Sequence, residues 1–441
     1  MPTGENAGAC YRRPMSWRYD VVGFLGGDFG LGVAARNSIR ALRTTERLGE
    51  SVEVEVRPPP RLVDRALSML RSKAPRDEPW RRSAGEAGAG RVALFHMNPL
   101  EIAWYASQWR GSIDPSAPSV CVPFWELPLV PRNWRTMLRA MDAVLAPTRF
   151  VQAACETAVP TERVLHYPQA VFLPDDVHEA REAWGVGGKR TVFIVSFDAG
   201  SDIDRKNPWG ALEAFQRAFP VDPDVALVIK TKPWASVPQY VAQAEELRAK
   251  VGSDRRVQIV DRTLGYAEVL SLYASCDVML SLHRSEGLGL HLMEAMSLGK
   301  VVVATNWSGN TDFMSQANSV PVGYRLVPVR TRHSHYQPEV GRKGQEWAEP
   351  DVGEAAEALR AIHSDPARRK QLGLAARSDM EARRASLLRG GAFAALERRL
   401  EQAPARPGAL ALAVRRARIH ALTRGVRAMG SDLLRKASFG R

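Results

Sequence analysis

The stretch that decides the fold runs from Cys276 to Thr305 and reads CDVMLSLHRSEGLGLHLMEAMSLGKVVVAT. It begins and ends with short apolar runs, 278–282 and 301–305, of the kind found in strands buried on both faces of a sheet. Gly299 is a suitable stop for the helix between them. The stretch therefore predicts a right-handed unit of strand, glycine loop, helix and strand.

Two glutamates, Glu286 and Glu294, occupy the loop and the helix of this unit, with seven residues between them. The Glu-Gly-Leu-Gly loop lies beyond the carboxyl end of the first strand, where open α/β sheets bind ligands. Its amides point outward from a helix N-terminus, and such a position suits an anionic phosphate.

This stretch resembles the donor site of the family-4 retaining glycosyltransferases (glycosyltransferase group 1). The glutamate spacing, the Gly-x-Gly loop and the run Ala-Met-x-x-Gly-Lys-Val-Val-Val-Ala-Thr carry the resemblance. It implies the α/β GT-B fold, in which two Rossmann-like doubly wound domains face each other across a cleft. It also implies that the sugar donor binds mainly to the second domain and the acceptor to the first.

Alternating strands and helices support two α/β domains. Predicted strands of the first half lie at 19–25, 51–56, 91–97, 119–124, 142–146 and 163–167, with a helix at 33–48. Those of the second half lie at 190–197, 225–231, 257–260, 278–282 and 301–305. The expected organisation is an N-terminal tail (1–18), an acceptor domain (19–175), a donor domain (176–380), a C-terminal helix (381–406) that can cross back to the first domain, and a basic amphipathic tail (407–441).

The loop after the strand at 190–197 holds candidate ligands for a diphosphate. Arg205 and Lys206 stand just before Asn207-Pro208, which is a plausible helix start. Fixed cations at this place would stabilise the charge that develops on a leaving diphosphate. By the resemblance, Lys206 matches the diphosphate lysine of the family. Without the neighbouring glycine loop, both residues would read as solvated loop charges.

An early arginine of the family pattern is absent from this chain. Phe197 or Asp198 occupies its place. The candidates for the second phosphate contact are Arg205, Lys230 and Lys232.

The resemblance also assigns roles to the glutamates and the glycine loop. Glu294 would accept hydrogen bonds from the ribose hydroxyls and Glu286 from the donor sugar, tasks that suit a carboxylate facing a diol. A nucleophilic role for Glu286 is not favoured, because the resemblance implies front-face transfer. The loop amides are those of Gly287, Leu288, Gly289 and Leu290. Arg262, Thr263 and Leu264 stand where the family contacts the base, and an ordinary connecting loop is the alternative. Ser308, Gly309 and Asn310 are expected to wall the same pocket, with no partner assigned to them.

In the first domain, four residues are candidates for lining the cleft. Gly26 and Gly27 follow a predicted strand and suit a close approach to the donor diphosphate. His96 and Glu126 follow the apolar runs 92–95 and 120–124. His96 would contact the donor sugar by resemblance, and Glu126 would orient or deprotonate the acceptor hydroxyl. A structural role for each is the alternative.

Neither a metal nor another cofactor is expected. The four cysteines show no ligand or disulfide spacing. Asp202-Ile-Asp204 resembles a metal motif of a different glycosyltransferase fold, but it is interpreted as helix-start acidity. The sequence has no signal peptide and no membrane-spanning run, which predicts a cytoplasmic protein.

The net charge of +13 is concentrated at the C-terminus. From 381 to 441 there are 14 Lys and Arg against 4 Asp and Glu. Confinement to a tail argues against nucleic-acid binding. An apolar stripe with arginine borders along 407–441 suits the anionic inner face of the cell membrane, and it equally suits packing on the first domain or on a partner protein.

The expected activity is retaining transfer of a hexose from a GDP- or UDP-sugar to the hydroxyl of a glycan or glycolipid, in cell-envelope assembly. A sugar-nucleotide epimerase or a phosphorylase of the same fold is one alternative. A non-catalytic scaffold in a glycan assembly complex is another.

Overall fold

Six parallel strands form the sheet of the first domain. The computed structural model describes residues 16–26, 30–53, 89–105, 117–189, 191–234, 240–332 and 336–402. The strand order is β2-β1-β3-β4-β5-β6, with the strands β1 (Ser16–Gly23), β2 (Leu48–Glu53), β3 (Ala89–His96), β4 (Ser119–Cys121), β5 (Ala143–Ala146) and β6 (Val164–His166). Every predicted strand of this half is present, shifted by three residues at most.

Four described helices accompany this sheet: α1 (Gly30–Thr44), α2 (Pro99–Tyr105), α3 (Arg135–Ala140) and α4 (Arg149–Glu156). Thr148 caps α4, because its hydroxyl accepts a hydrogen bond from the Val151 amide at 3.2 Å. The cap fixes the start of α4 at the carboxyl end of β5, at the edge of the sheet that faces the second domain.

The second domain repeats the arrangement with another sheet of six parallel strands. The order is β12-β11-β10-β7-β8-β9, with β7 (Thr191–Ser196), β8 (Val225–Lys230), β9 (Val257–Val260), β10 (Val278–Ser281), β11 (Val301–Thr305) and β12 (Val320–Val322). β8, β10 and β11 are buried along their whole length, which explains their continuous apolar runs. The five predicted strands are present, and the short β12 was not predicted.

The helices of this half are α5 (Ile203–Lys206), α6 (Pro208–Ala218), α7 (Val241–Val251), α8 (Tyr266–Ala274), α9 (Leu290–Ser297), α10 (Val352–Ser364) and α11 (Pro366–Leu388). The predicted unit of strand, loop, helix and strand is therefore β10, the glycine loop, α9 and β11. β10 and β11 pair in parallel from Val278 opposite Val301 to Ser281 opposite Ala304.

The last described helix, α12 (Gly391–Gln402), packs on the first domain. The chain turns between α11 and α12 at Gly390, whose φ of +73° favours glycine. Phe393 is fully buried, and its ring centre lies 5.4 Å from that of Tyr19 in β1. Glu397 accepts hydrogen bonds from the Tyr19 hydroxyl at 3.2 Å and from Arg47 at 2.8 Å. The end of the described chain thus belongs to the core of the first domain.

A second connection between the halves was not predicted from the sequence. β13 (Tyr324–Pro328) and β14 (Glu346–Pro350) form an antiparallel pair, and the segment 324–350 is named the crossing arm. Val329, Tyr336 and Trp347 of the arm are buried in the core of the first domain. The Tyr336 ring lies 5.3 Å from that of Trp125. The crossing arm therefore joins the second domain to the loop that follows β4.

In the described part of the chain, no helix is both long enough and apolar enough to cross a membrane. The basic tail at 407–441 lies outside the described residues.

Candidate active site

The glycine loop that follows β10 lies directly against the first domain. Thr148, which is fully buried, donates a hydrogen bond to the Gly287 carbonyl oxygen at 2.8 Å. A Cβ atom on Gly287 would lie 2.7 Å from the Trp125 carbonyl oxygen. Only glycine permits this approach of the two backbones without a shift.

The backbone of this loop leaves several donors for a ligand. Gly289, with φ +81° and ψ 42°, forms the N-cap of α9. No described residue accepts a hydrogen bond from the amides of Gly287, Leu288, Gly289 or Leu290. The Glu286 amide donates to the Ser308 hydroxyl at 2.7 Å. The loop is thus held by its neighbours while its outward amides stay available for an anion.

Glu286 lies between two cations. Its carboxylate accepts a short hydrogen bond from the Lys206 Nζ and lies 3.5 Å from the Arg205 Nη1. Burial alone would raise the pKa of Glu286, but Lys206 and Arg205 hold the pKa well below its ordinary value. Burial lowers the pKa of Lys206, and the adjacent Glu286 opposes that shift. The two groups form an ion pair in which each charge stabilises the other.

Arg205 is the most enclosed of these residues, with 2% of its surface exposed. Its terminal nitrogens donate to the carbonyl oxygens of Ser285 and Ser201, both at 2.7 Å. The guanidinium carbon lies 5.8 Å from the centre of the Tyr336 ring. These contacts fix the loop before Glu286, so Arg205 is a support for the site as well as a charge within it.

Glu126 joins this cluster from the first domain. Its carboxylate accepts a hydrogen bond from the Tyr336 hydroxyl at 2.6 Å and lies 3.9 Å from the Arg205 Nη2. Its backbone carbonyl accepts a hydrogen bond from the Ser285 hydroxyl. The structure therefore brings Glu126, Arg205, Lys206 and Glu286 together in one network of alternating charge.

Glu294 lies further along α9 and is only 5% exposed. Its partner is the Tyr266 hydroxyl, which donates to the Oε1 atom at 3.0 Å. Burial raises the pKa of Glu294 to about 8, although the bond from Tyr266 opposes the rise. Near neutral pH this carboxyl therefore exists in both its protonated and its ionised form.

Asn310 lies in the segment that follows β11 and is fully buried. Its amide nitrogen donates to the Thr305 carbonyl at 2.9 Å, and its oxygen lies 3.0 Å from the His283 Nε2. His283 in turn contacts the Ser281 hydroxyl at 3.0 Å through its Nδ1. Asn310 thus supports the wall of the site through bonds to other protein groups.

The remaining candidates of the second domain spread along the carboxyl ends of β8 and β9. Lys230 is 6% exposed, and its Nζ donates to the Thr231 carbonyl at 3.0 Å. Lys232 pairs with Asp198 at 2.9 Å. The Arg262 guanidinium lies 5.3 Å from the centre of the Trp184 ring. Thr263 is exposed, whereas Leu264 and Leu288 are buried in the core.

In the first domain, His96 ends β3 and is fully buried. Neither ring nitrogen has a hydrogen-bond partner in the described structure, and burial lowers its pKa to about 3. Gly26 is exposed after β1. Gly27 lies outside the described residues.

The acidic pair that resembled a metal motif has protein partners. Asp202 caps α5 by accepting from the Arg205 amide at 3.1 Å, and it also accepts from the Thr331 hydroxyl at 2.6 Å. Asp204 pairs with Arg332 at 2.7 Å. Among the described residues, no group of three or more His, Cys, Asp or Glu could hold a metal ion.

Sequence reasoning missed Tyr266, Thr148 and Tyr336. Each belongs to a different segment from the residue that it contacts, and no local motif marks the pairs. The N-cap pattern before α4 was a signal for Thr148 as a helix cap. It gave no sign of the contact with Gly287.

Residues 178–324 match the family model described as Glycosyl transferases group 1. This part of the chain is a glycosyltransferase group 1 domain. The match includes Lys206, Glu286 and Glu294 and all the donor-side candidates named above. No curated protein matches the chain by sequence.

The two domains of the chain together have the GT-B fold, and solved structures with this fold are similar to the chain. HepE from Anabaena, solved with UDP and glucose, has 15% identity and a TM-score of 0.55, and the match covers 86% of this chain and 98% of HepE. A glycosyltransferase from Rickettsia africae has 14% identity and a TM-score of 0.56, covering 88% and 99%. Sucrose-phosphate synthase from Thermosynechococcus elongatus has 13% identity and a TM-score of 0.59, covering 88% and 100%.

Proposed function

We propose that the chain transfers a sugar from a nucleoside diphosphate sugar to a hydroxyl acceptor. One observation carries the proposal: Lys206 and Arg205 flank the buried Glu286 beside a glycine loop whose amides have no acceptor among the described residues. Cations and free amides at one helix start suit a diphosphate, and a buried carboxylate suits sugar hydroxyls.

Charge development explains the placement of these groups. When the bond between the anomeric carbon and the diphosphate breaks, the departing phosphate oxygen gains negative charge. Lys206 and the amides of Gly287 and Gly289 would stabilise that charge, because they are fixed before the reaction begins. Glu286 would hold the sugar by its hydroxyls and, as an ionised group, would balance Lys206 until the diphosphate binds.

We propose retention of anomeric configuration by front-face transfer. The acceptor oxygen bonds to the anomeric carbon on the face from which the diphosphate leaves, and the proton of the acceptor hydroxyl passes to the departing phosphate oxygen. No covalent link to the enzyme is required. Glu286 is engaged by Lys206 and Arg205, which suits orientation of the sugar better than nucleophilic attack.

The finer assignments belong to the same proposal. We infer a hexose donor carried on UDP or GDP, and a glycan or glycolipid acceptor in cell-envelope assembly at the cytoplasmic face of the membrane. HepE was solved with UDP and glucose, which supports UDP as the first nucleotide to test. We propose that Arg262 and Thr263 contact the base of the donor and that Lys230 contacts its phosphates. From the first domain, Gly26 and Gly27 would approach the diphosphate, and His96 would contact the donor sugar.

Calorimetric titration with UDP and GDP, followed by a turnover assay with UDP- and GDP-hexoses, tests this proposal. We expect one nucleotide to bind, and Lys206→Ala to weaken it about 10- to 100-fold, because a charge-assisted contact is lost. Lys250→Ala is the matched control, since Lys250 is exposed at the end of α7 and is not a candidate for the site. Glu286→Ala should retain nucleotide binding and lose turnover. Binding of neither nucleotide would refute the donor site, and binding without release of nucleoside diphosphate would favour the scaffold.

We further propose that the basic tail at 407–441 binds an anionic membrane surface. Sedimentation with vesicles of phosphatidylglycerol and phosphatidylcholine tests it, with neutral vesicles as the control. Deletion after Pro407 should abolish sedimentation with the anionic vesicles. Equal sedimentation of the full and shortened chains would contradict the proposal.

A further inference from the structure

Tyr266 is the first residue of α8, and its side chain lies beside the carboxylate of Glu294 on α9. The start of α8 is fixed locally, because the Gly265 amide donates to the Glu268 carboxylate at 2.8 Å. This hydrogen bond holds the Glu268 side chain against the backbone at the start of its own helix. Tyr266 is therefore the residue of this turn that points its polar group to α9, where its hydroxyl lies 3.0 Å from the Glu294 Oε1.

Glu294 is a buried carboxylate with an unusually small set of partners. Within the described structure it forms no ion pair, and Tyr266 donates its one hydrogen bond. A buried carboxylate has room for several donors, and leaving that capacity unfilled costs free energy. The Oε2 atom is not sealed in the core. The site is therefore prepared for hydrogen-bond donors that come from a ligand.

The hydroxyl of Tyr266 has a defined polarity in this pair. A phenol has one proton, and here that proton is directed at the Oε1 of Glu294. Burial first, and Glu294 second, raise the pKa of Tyr266, so the phenol keeps its proton. The lone pairs of the phenolic oxygen are left to accept. Hydrogen bonds donated by ligand hydroxyls favour the ionised form of Glu294 over the protonated one. In that form Tyr266 and Glu294 present two acceptor oxygens side by side to an incoming pair of hydroxyls.

We propose that Tyr266 is a specificity-determining residue that reads one hydroxyl of the donor ribose while Glu294 reads the other. The proposal rests on the proposed function and deepens it, because it names the group that recognises a ribonucleoside against a deoxyribonucleoside. One ribose hydroxyl donates to the phenolic oxygen, and the vicinal hydroxyl donates to the Glu294 Oε2. The bond from Tyr266 to Oε1 holds both acceptors in place.

Tyr273 provides a matched control on the same helix. It is also buried, and its hydroxyl donates to the Ser196 hydroxyl at 2.6 Å rather than to Glu294. Tyr273→Phe removes one phenolic oxygen from α8 without removing a partner of the carboxylate. Tyr266→Phe removes the proposed acceptor and keeps the ring.

The experiment is calorimetric binding of UDP, 2′-deoxy-UDP and 3′-deoxy-UDP to the full-length wild type, Tyr266→Phe and Tyr273→Phe, with the guanosine series used if GDP is the nucleotide that binds. We expect Tyr266→Phe to weaken the ribonucleotide about 3- to 10-fold, the range for one hydrogen bond. For one of the two deoxynucleotides the penalty should fall below about twofold, because the hydroxyl read by Tyr266 is already missing. Tyr273→Phe should bind all three ligands like the wild type.

Each other outcome overturns the proposal in a recognisable way. Equal penalties for all three ligands would show that Tyr266 only supports the fold of the site. Tighter binding of the ribonucleotide by Tyr266→Phe would show that the phenol competes with ribose for Glu294. If the wild type binds neither UDP nor GDP, the proposed function fails together with this inference. If the wild type binds and Tyr266→Phe equals it, only this inference fails.

Discussion

Replacement of Gly287 by alanine tests whether the glycine loop is set by its contact with the first domain. The added Cβ would lie 2.7 Å from the Trp125 carbonyl oxygen and 3.2 Å from its carbonyl carbon. Gly287 does not have a positive φ. The cost of the substitution therefore comes from the contact between domains and not from backbone conformation.

The size of the effect follows from these distances. Restoring an ordinary contact of 3.4 Å requires the two backbones to separate by about 0.7 Å. The same movement would lengthen the 2.8 Å hydrogen bond from Thr148 to the Gly287 carbonyl towards about 3.5 Å, where a hydrogen bond is nearly lost. Overpacking of this kind costs about 1–3 kcal/mol. The displaced amides should also reduce nucleotide affinity, by about 10-fold.

Thermal unfolding and calorimetric titration with UDP measure the two effects. Gly391→Ala is the control, because a Cβ at Gly391 meets no atom within 4 Å. We expect Gly287→Ala to lower both Tm and affinity. Gly391→Ala should leave the affinity unchanged and should not lower Tm, because alanine is compatible with this helical position. A Gly287→Ala variant with the Tm and the UDP affinity of the wild type would refute the view that this contact sets the loop.

Three further predictions concern the same site. The folded-state pKa of Glu294 is about 8, above its ordinary 4.5, so its contribution to stability is full below about pH 4.5 and is lost as pH rises through 8. Raising the pH from 6 to 9 should therefore lower the Tm of the wild type more than that of Glu294→Gln, and parallel curves would contradict the shift. Thr148→Val loses the hydrogen bond to the Gly287 carbonyl and the cap of α4, so it should lower the free energy of unfolding by about 1–3 kcal/mol and weaken UDP binding. Thr148→Ser keeps the hydroxyl and should retain the stability and the affinity. Equal Tm values for the two variants would argue against the contact. Arg205→Met should be destabilising by about 3–5 kcal/mol, because it leaves Glu286 with one cation and two buried carbonyls without donors; an unchanged Tm would mean that the guanidinium does not hold the loop.

The unit from β10 to β11 could be predicted because its signals are local. Apolar runs mark its strands, glycines mark its turns, and the spacing of Glu286 and Glu294 places one carboxylate in the loop and the other in the helix that follows. The crossing arm could not be predicted in this way. Val329, Tyr336 and Trp347 look like ordinary apolar residues of the second half, and nothing near them in sequence indicates burial in the first domain.

In the candidate site, too, some features follow from local sequence and others from tertiary contacts. Sequence alone determined the two α/β halves, the glycine loop, and the place of Glu286 and Glu294 in the loop and the helix that follows it, because each depends on residues close together in the chain. Lys206 was predicted to join them from the family resemblance. Tertiary structure decided that Arg205 is enclosed by the Ser201 and Ser285 carbonyls and that Tyr266 engages Glu294. Such partners are set by how separate elements pack against each other, and the spacing of residues along the chain carries no record of that packing.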